Sequence, residues 1–108
     1  TASRERFDVV VARAVAKLPT LAELALPFCR IGGRVIAQKA ARGLDREIRQ
    51  AERAVDSMGG TFLEARPVKY TGSEATRTLV ILEKSSPTPE RFPRRPGIPS
   101  KRPLLSES

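Results

Sequence analysis

The segment Phe7-Asp8-Val9-Val10-Val11-Ala12 is a nearly unbroken apolar run that stops at Arg13, and little else in the chain limits its fold so strongly. Such a strand is expected to be covered on both faces, the arrangement of parallel sheets flanked by helices. A parallel neighbour needs a long crossover connection, usually a helix. Pro19 suits the first turn of one, and Leu21, Leu24, Ala25 and Phe28 repeat at the i, i+3, i+4, i+7 spacing of a buried stripe. Pro27 falls where it marks the last turn or a kink. Gly32-Gly33 then breaks the chain, and Arg34-Val35-Ile36-Ala37-Gln38-Lys39 reads as a second strand. Strands joined in this way run in the same direction, so their ends at Arg13 and Lys39 are expected on one edge of the sheet. In open α/β sheets that edge is where ligands bind.

The next helix is the clearest element. Over 44–58, Leu44, Ile48, Ala51 and Val55 form one apolar stripe, Asp45 and Arg49 are spaced to pair, and Gly59-Gly60 supplies a stop. Thr61 to Val68 and Thr76 to Glu83 read as two strands joined by a polar turn around Gly72-Ser73, an antiparallel pair. The run Thr78-Leu79-Val80-Ile81-Leu82 belongs in the sheet centre, since an edge strand that apolar invites aggregation. Cys29 and Met58 read as core residues, and Tyr70 as a cover for the sheet end.

After Lys84 the composition changes. Six of the nine prolines (Pro87, Pro89, Pro93, Pro96, Pro99 and Pro103) lie there, interspersed with Arg91, Arg94, Arg95, Lys101 and Arg102. Residues 1–84 are therefore expected to form the domain and 85–108 an extended, basic, Pro-rich tail. The tail admits two readings: its cations neutralise RNA phosphates, or it packs back over the sheet.

With no histidine and a single cysteine, the chain offers no intramolecular disulfide, no zinc or haem ligand set and no triad hydrolase. No apolar run approaches the roughly 18 residues of a membrane span, and no signal-peptide pattern opens the chain, so the expected location is cytoplasmic. A net charge of +8 favours a polyanionic partner, although basic domains often just carry solvated lysines and arginines.

Several stretches together are similar to the C-terminal half of the glucose-inhibited division protein B family, the methyltransferases that make 7-methylguanosine in 16S ribosomal RNA. They are Phe7 through Ala16, Leu26-Pro27 followed by Gly32-Gly33, Ala37-Gln38-Lys39-Ala40, Thr76-Arg77-Thr78-Leu79-Val80-Ile81, and Phe92 through Leu104. The resemblance implies an α/β fold: the C-terminal half of a Rossmann-like class I methyltransferase sheet, with two parallel strands and crossover helices, then an antiparallel hairpin. It implies S-adenosyl-L-methionine as cofactor, with Arg13 in its site, and 16S ribosomal RNA or a small-subunit assembly intermediate as partner. The family's glycine-rich loop and ribose-binding acid have no counterpart here, and the chain has no initiator Met, so it is expected to be a fragment that is inactive alone.

Methyl transfer to guanine N7 uses a lone pair that carries no proton, so it needs alignment and no general base. A histidine-free chain is compatible with that. Candidates for RNA contact are Lys39, Arg77, Arg94, Arg95, Lys101 and Arg102, each weighed against an ordinary solvated cation or surface ion pair. Two further readings stand beside the enzyme: a noncatalytic basic α/β module that binds RNA or a ribosomal partner through its tail, and a nonfunctional truncation.

Overall fold

The computed structural model describes residues 4–13, 17–69 and 76–106. In chain order they form β1 (Phe7–Arg13), α1 (Leu18–Ala25), a 3-10 turn (Leu26–Phe28), β2 (Cys29–Ala40), α2 (Leu44–Ser57), β3 (Gly60–Lys69), β4 (Thr76–Lys84) and the short α3 (Ile98–Lys101). One mixed sheet has the order β1-β2-β4-β3. β1 and β2 are parallel, and β4 is antiparallel to both β2 and β3. The crossover unit and the closing antiparallel pair are those expected, with β4 central. The turn at Gly72-Ser73, and Tyr70, lie outside the described residues.

The first helix keeps its helical period but shifts its phase. Leu18, Leu21, Ala22 and Ala25 are buried, whereas Leu24, expected in the stripe, is 44% exposed and Phe28 is half-buried. The helix begins at Leu18 and stops before Pro27, which has no N–H to continue it, so Leu26-Pro27-Phe28 tightens into a 3-10 turn. Glu23 is fully buried on this helix.

β2 starts at Cys29, earlier than the expected Arg34, and Gly32-Gly33 lies inside it instead of before it. Pairing runs from Phe7↔Cys29 to Val9↔Arg34, so five steps on β2 face two on β1. Glycines permit this bulge: Gly32 has φ +88°, and a Cβ on Gly33 would sit 2.5 Å from the Asp8 carbonyl oxygen.

α2 buries Leu44, Ala51, Ala54 and Val55 with Ile48 packed alongside, close to the expected stripe. Asp45 and Arg49 form no ion pair among the described residues. Both helices cover one sheet face, where Val35, Ala37, Val80 and Leu82 join the core.

The expectation of cover on both faces of β1 meets a different arrangement. Val10 and Ala12 pack inward, while Phe7, Val9 and Val11 are 51%, 51% and 71% exposed on an edge strand. An apolar edge of this kind promotes association. The 108-residue chain is expected to self-associate in light-scattering chromatography, and Val9→Lys with Val11→Lys to return it to a monomer. A monomeric wild-type chain would contradict that.

The segment after Lys84 is not a free tail, and the expected boundary at 84/85 is no break in packing. Phe92 is 6% exposed and belongs to the core, and Thr88 and Pro99 are buried. Ser85 N and Ser86 N donate to the Gly59 carbonyl, where φ is +83° and a Cβ would meet Ser86 O at 2.2 Å. Thr88 Oγ1 donates to Met58 O (2.5 Å), Thr20 Oγ1 to Pro99 O (2.9 Å), and the Arg4 guanidinium to the carbonyls of Thr88, Pro89 and Phe92. Proline-rich backbone has few partners of its own, so its carbonyls are open to such donors from the domain. The result is a strap across the helical face.

Candidate functional site

Register fixes what the sheet presents at one end. Arg13 lies opposite Gln38, Lys39 opposite Thr78, and Ala40 opposite Arg77. Because β1 and β2 run parallel and β4 returns against them, Arg13, Lys39 and Arg77 all stand on one rim, the end at which the parallel strands finish. Arg77 is exposed there.

Lys39 is not an ordinary solvated lysine. Its Nζ lies 2.5 Å from Glu47 Oε2, with the two side chains 10% and 12% exposed. The same oxygen accepts the Leu18 N–H at 2.9 Å. Glu47 thus ties together the end of β2, the first turn of α1, where an acid complements the helix dipole, and the first turn of α2. Sequence reasoning missed this residue. It lies on the helix that the pattern found, yet its partners are 29 residues away at Leu18 and on another element at Lys39, so only tertiary packing reveals it.

At the opposite end of the sheet, ion pairs engage several of the charges. Asp8 contacts Arg30, Glu5 pairs with the fully buried Lys84, and Arg34 lies opposite Glu83. Lys84 Nζ also donates to Leu26 O (2.8 Å) and Cys29 O (3.0 Å), closing the 3-10 turn. Burial lowers the Lys84 pKa despite the pull of Glu5, and raises that of the buried Cys29 thiol. Cys29 and Met58 are core residues, as expected.

Among the tail cations, Arg94 is engaged within the fold. Its backbone N donates to Glu23 Oε2 at 2.8 Å, and its guanidinium reaches Oε1 at 2.7 Å and Oε2 at 2.9 Å. The Glu23 side chain is 1% exposed, so Arg94 neutralises a buried carboxylate and locks the strap to α1. Arg95, Lys101 and Arg102 are exposed. Arg91 lies over the Phe92 ring at 4.8 Å.

These features define an α/β protein with one mixed four-stranded sheet and a cationic rim where its parallel strands end. No family model matches the sequence. Curated relatives do. Ribosomal RNA small subunit methyltransferase G of Roseiflexus castenholzii is 50% identical over 102 residues, covering 94% of this chain and 43% of that protein. The protein of the same name from Chloroflexus aggregans is 52% identical over 103 residues, 95% of this chain and 42% of that one. That of Deinococcus radiodurans is 48% identical over 102 residues, 94% and 40%. Over nearly its whole length the chain is therefore a homologue of ribosomal RNA small subunit methyltransferase G, the glucose-inhibited division protein B family, consistent with the C-terminal half that the sequence resembles. It spans less than half the length of these relatives. Among solved structures, a T. thermophilus 16S rRNA N2 methyltransferase in complex with AdoMet and guanosine aligns at TM-score 0.48 and 20% identity. It covers 80% of this chain and 22% of that one, a likeness too slight to bear on function.

The rim by itself does not fit S-adenosylmethionine. Among the described residues it has no glycine-rich turn leading out of a strand, and its carboxylate, Glu47, is already engaged by Lys39 and the α1 N-terminus. No group of three or more metal-ligating side chains forms among the described residues. No helix among them is long and apolar enough to cross a membrane.

Proposed function

We propose that the protein carrying this sequence transfers a methyl group from S-adenosylmethionine to N7 of a guanine in 16S ribosomal RNA, in the cytoplasm, with this segment forming one end of the catalytic sheet. The observation that carries the reading is the 50% identity to ribosomal RNA small subunit methyltransferase G over 94% of the chain. Its supports are the shared rim of Arg13, Lys39 and Arg77 and a histidine-free sequence, since attack by guanine N7 requires no proton to be removed.

In this reading Arg13 borders the cofactor, the Glu47–Lys39 pair fixes the rim where the base arrives, and Arg77, Arg95, Lys101 and Arg102 meet phosphates. The base is unpaired or extruded, because paired RNA buries N7 in a groove closed to side chains. Alone, the 108-residue chain does not catalyse transfer.

The test uses a protein that spans the full length of the relatives and carries this sequence, with labelled S-adenosylmethionine and small-subunit RNA lacking the modification. Borohydride reduction and aniline cleavage break RNA at 7-methylguanosine. Label at a single guanine N7 is expected, with none from the 108-residue chain; label on another atom, or none, would overturn the assignment.

A further inference from the structure

We propose that a cleft beside the rim, between the lead into α1 and the start of α2, binds a backbone phosphate of single-stranded RNA. The inference rests on the reading of the protein as an RNA-modifying enzyme and assigns a contact that the rim alone does not supply. Lys17, Arg42, Gly43, Arg46, Glu47 and Gln50 line this cleft of about 260 Å3.

Charge decides what it can hold. Lys17, Arg42 and Arg46 are all exposed and form no ion pair among the described residues. The one acid in the lining, Glu47, has its Oε2 engaged by Lys39 Nζ and Leu18 N, so it is neutralised where it stands. Three cations therefore line the cleft, and its lining holds no acid other than Glu47. Asp45, also in the first turn of α2, is exposed and is not part of the lining.

A second, independent feature points the same way. The 14-residue α2 follows Gly43, its N-cap, whose φ is 70° and which provides no side-chain cap; of the first-turn amides, Leu44 N donates to the Ala41 carbonyl. A Cβ there would meet nothing within 4 Å, so the backbone lies open to the cleft. A helix start without a side-chain cap, beside three cations, favours an anion by two mechanisms at once, the helix dipole and direct ion pairing.

The lining contains no aromatic or large apolar side chain to stack a base. Contact here is to the phosphodiester backbone and positions the strand without reading its sequence. Glu47 links the cleft to Lys39, so a phosphate held here lies beside the rim that also carries Arg13 and Arg77. RNA crossing the sheet edge would meet the cleft and the rim in succession.

The test is fluorescence anisotropy of the 108-residue chain with a labelled single-stranded oligoribonucleotide across a salt series. Lys17→Gln with Arg42→Gln and Arg46→Gln should weaken binding by more than tenfold and make the log-log salt slope shallower by about 0.7, the value for one phosphate contact on a single strand. All three side chains are exposed, so the melting curve should be unchanged, and Arg42→Lys with Arg46→Lys should retain most binding. A triple variant that binds like the wild type, a wild-type chain that does not bind, or displacement by inorganic phosphate at the oligonucleotide's own concentration would each overturn the proposal. The methylation assay on the longer protein is separate. N7 transfer with an indifferent cleft variant discards the cleft alone, whereas absent transfer discards the enzymatic reading whatever the cleft binds.

Discussion

Replacing Arg94 with alanine should cost the domain about 3 kcal/mol, the lower part of the range for breaking a buried ion pair. Glu23 is 1% exposed and relies on the Arg94 guanidinium at both carboxylate oxygens. The backbone N of residue 94 remains as a donor in the variant, which is why the loss stays at that lower part. Burial by itself would raise the Glu23 pKa; hydrogen bonds and charge from Arg94 outweigh it and hold the carboxyl below its ordinary value of 4.5. In the wild type the stabilisation is therefore complete above 4.5 and is lost as pH falls through the lowered native value. Glu5, partly exposed, is likewise lowered, the Thr88 N–H and Lys84 outweighing its desolvation, and contributes with the same sign. In Arg94→Ala only the backbone N–H of residue 94 still opposes the effect of burial at Glu23, and burial is the stronger of the two. The native carboxyl then binds its proton more readily than the unfolded one, and the deficit relative to wild type should shrink on going from neutral pH to below 4.5. Glu23→Gln added to Arg94→Ala should recover part of the loss at neutral pH. Urea unfolding at both pH values checks this; a loss under about 1 kcal/mol, or one independent of pH, would show that the pair is not a structural lock.

Phe92→Ala should be at least as damaging, at about 3–5 kcal/mol for a buried aromatic. Phe92 is 6% exposed within the core, and its carbonyl and those of Thr88 and Pro89 anchor Arg4. Removing the ring leaves a cavity under the strap and takes away the face on which Arg91 rests. For a chain of 108 residues, whose total stability is expected at about 5–15 kcal/mol, this is a large share. Because strap and sheet share one core, the variant should still unfold in a single transition at lower denaturant, seen alike by far-ultraviolet dichroism and by exchange of the strap amides. A strap that melts first, leaving the sheet intact, would restore the independent tail.

The sheet was legible from the sequence for a definite reason. An apolar run, a helical stripe and a second apolar run leave little choice but a parallel crossover, which brings Arg13 and Lys39 to one end. Arg77 joins them through the register of β4. What was illegible depends on partners distant in the chain. Leu24 looked like a core residue because its spacing is helical, but the face was decided by α1 starting at Leu18 and by the strap covering Glu23. The strap itself was hidden because its prolines and arginines carry the composition of a solvated segment, while one phenylalanine and several carbonyl acceptors supply the docking. Glu47, Glu23 and Lys84 have in common that each is a charge buried against partners from other elements. No local periodicity announces such residues. For the tail, the structure favours packing over extension and leaves Arg91, Arg95, Lys101 and Arg102 exposed.

That the cationic end of the sheet is the working end can be measured directly by titrating an isotopically labelled chain with a single-stranded oligoribonucleotide and following backbone amide shifts. Perturbations should concentrate at residues 17–18, 38–46 and 77–78, around the rim and the start of α2. Shifts confined to residues 5–8, 30–34 and 83–86, at the opposite end of the sheet, would contradict it.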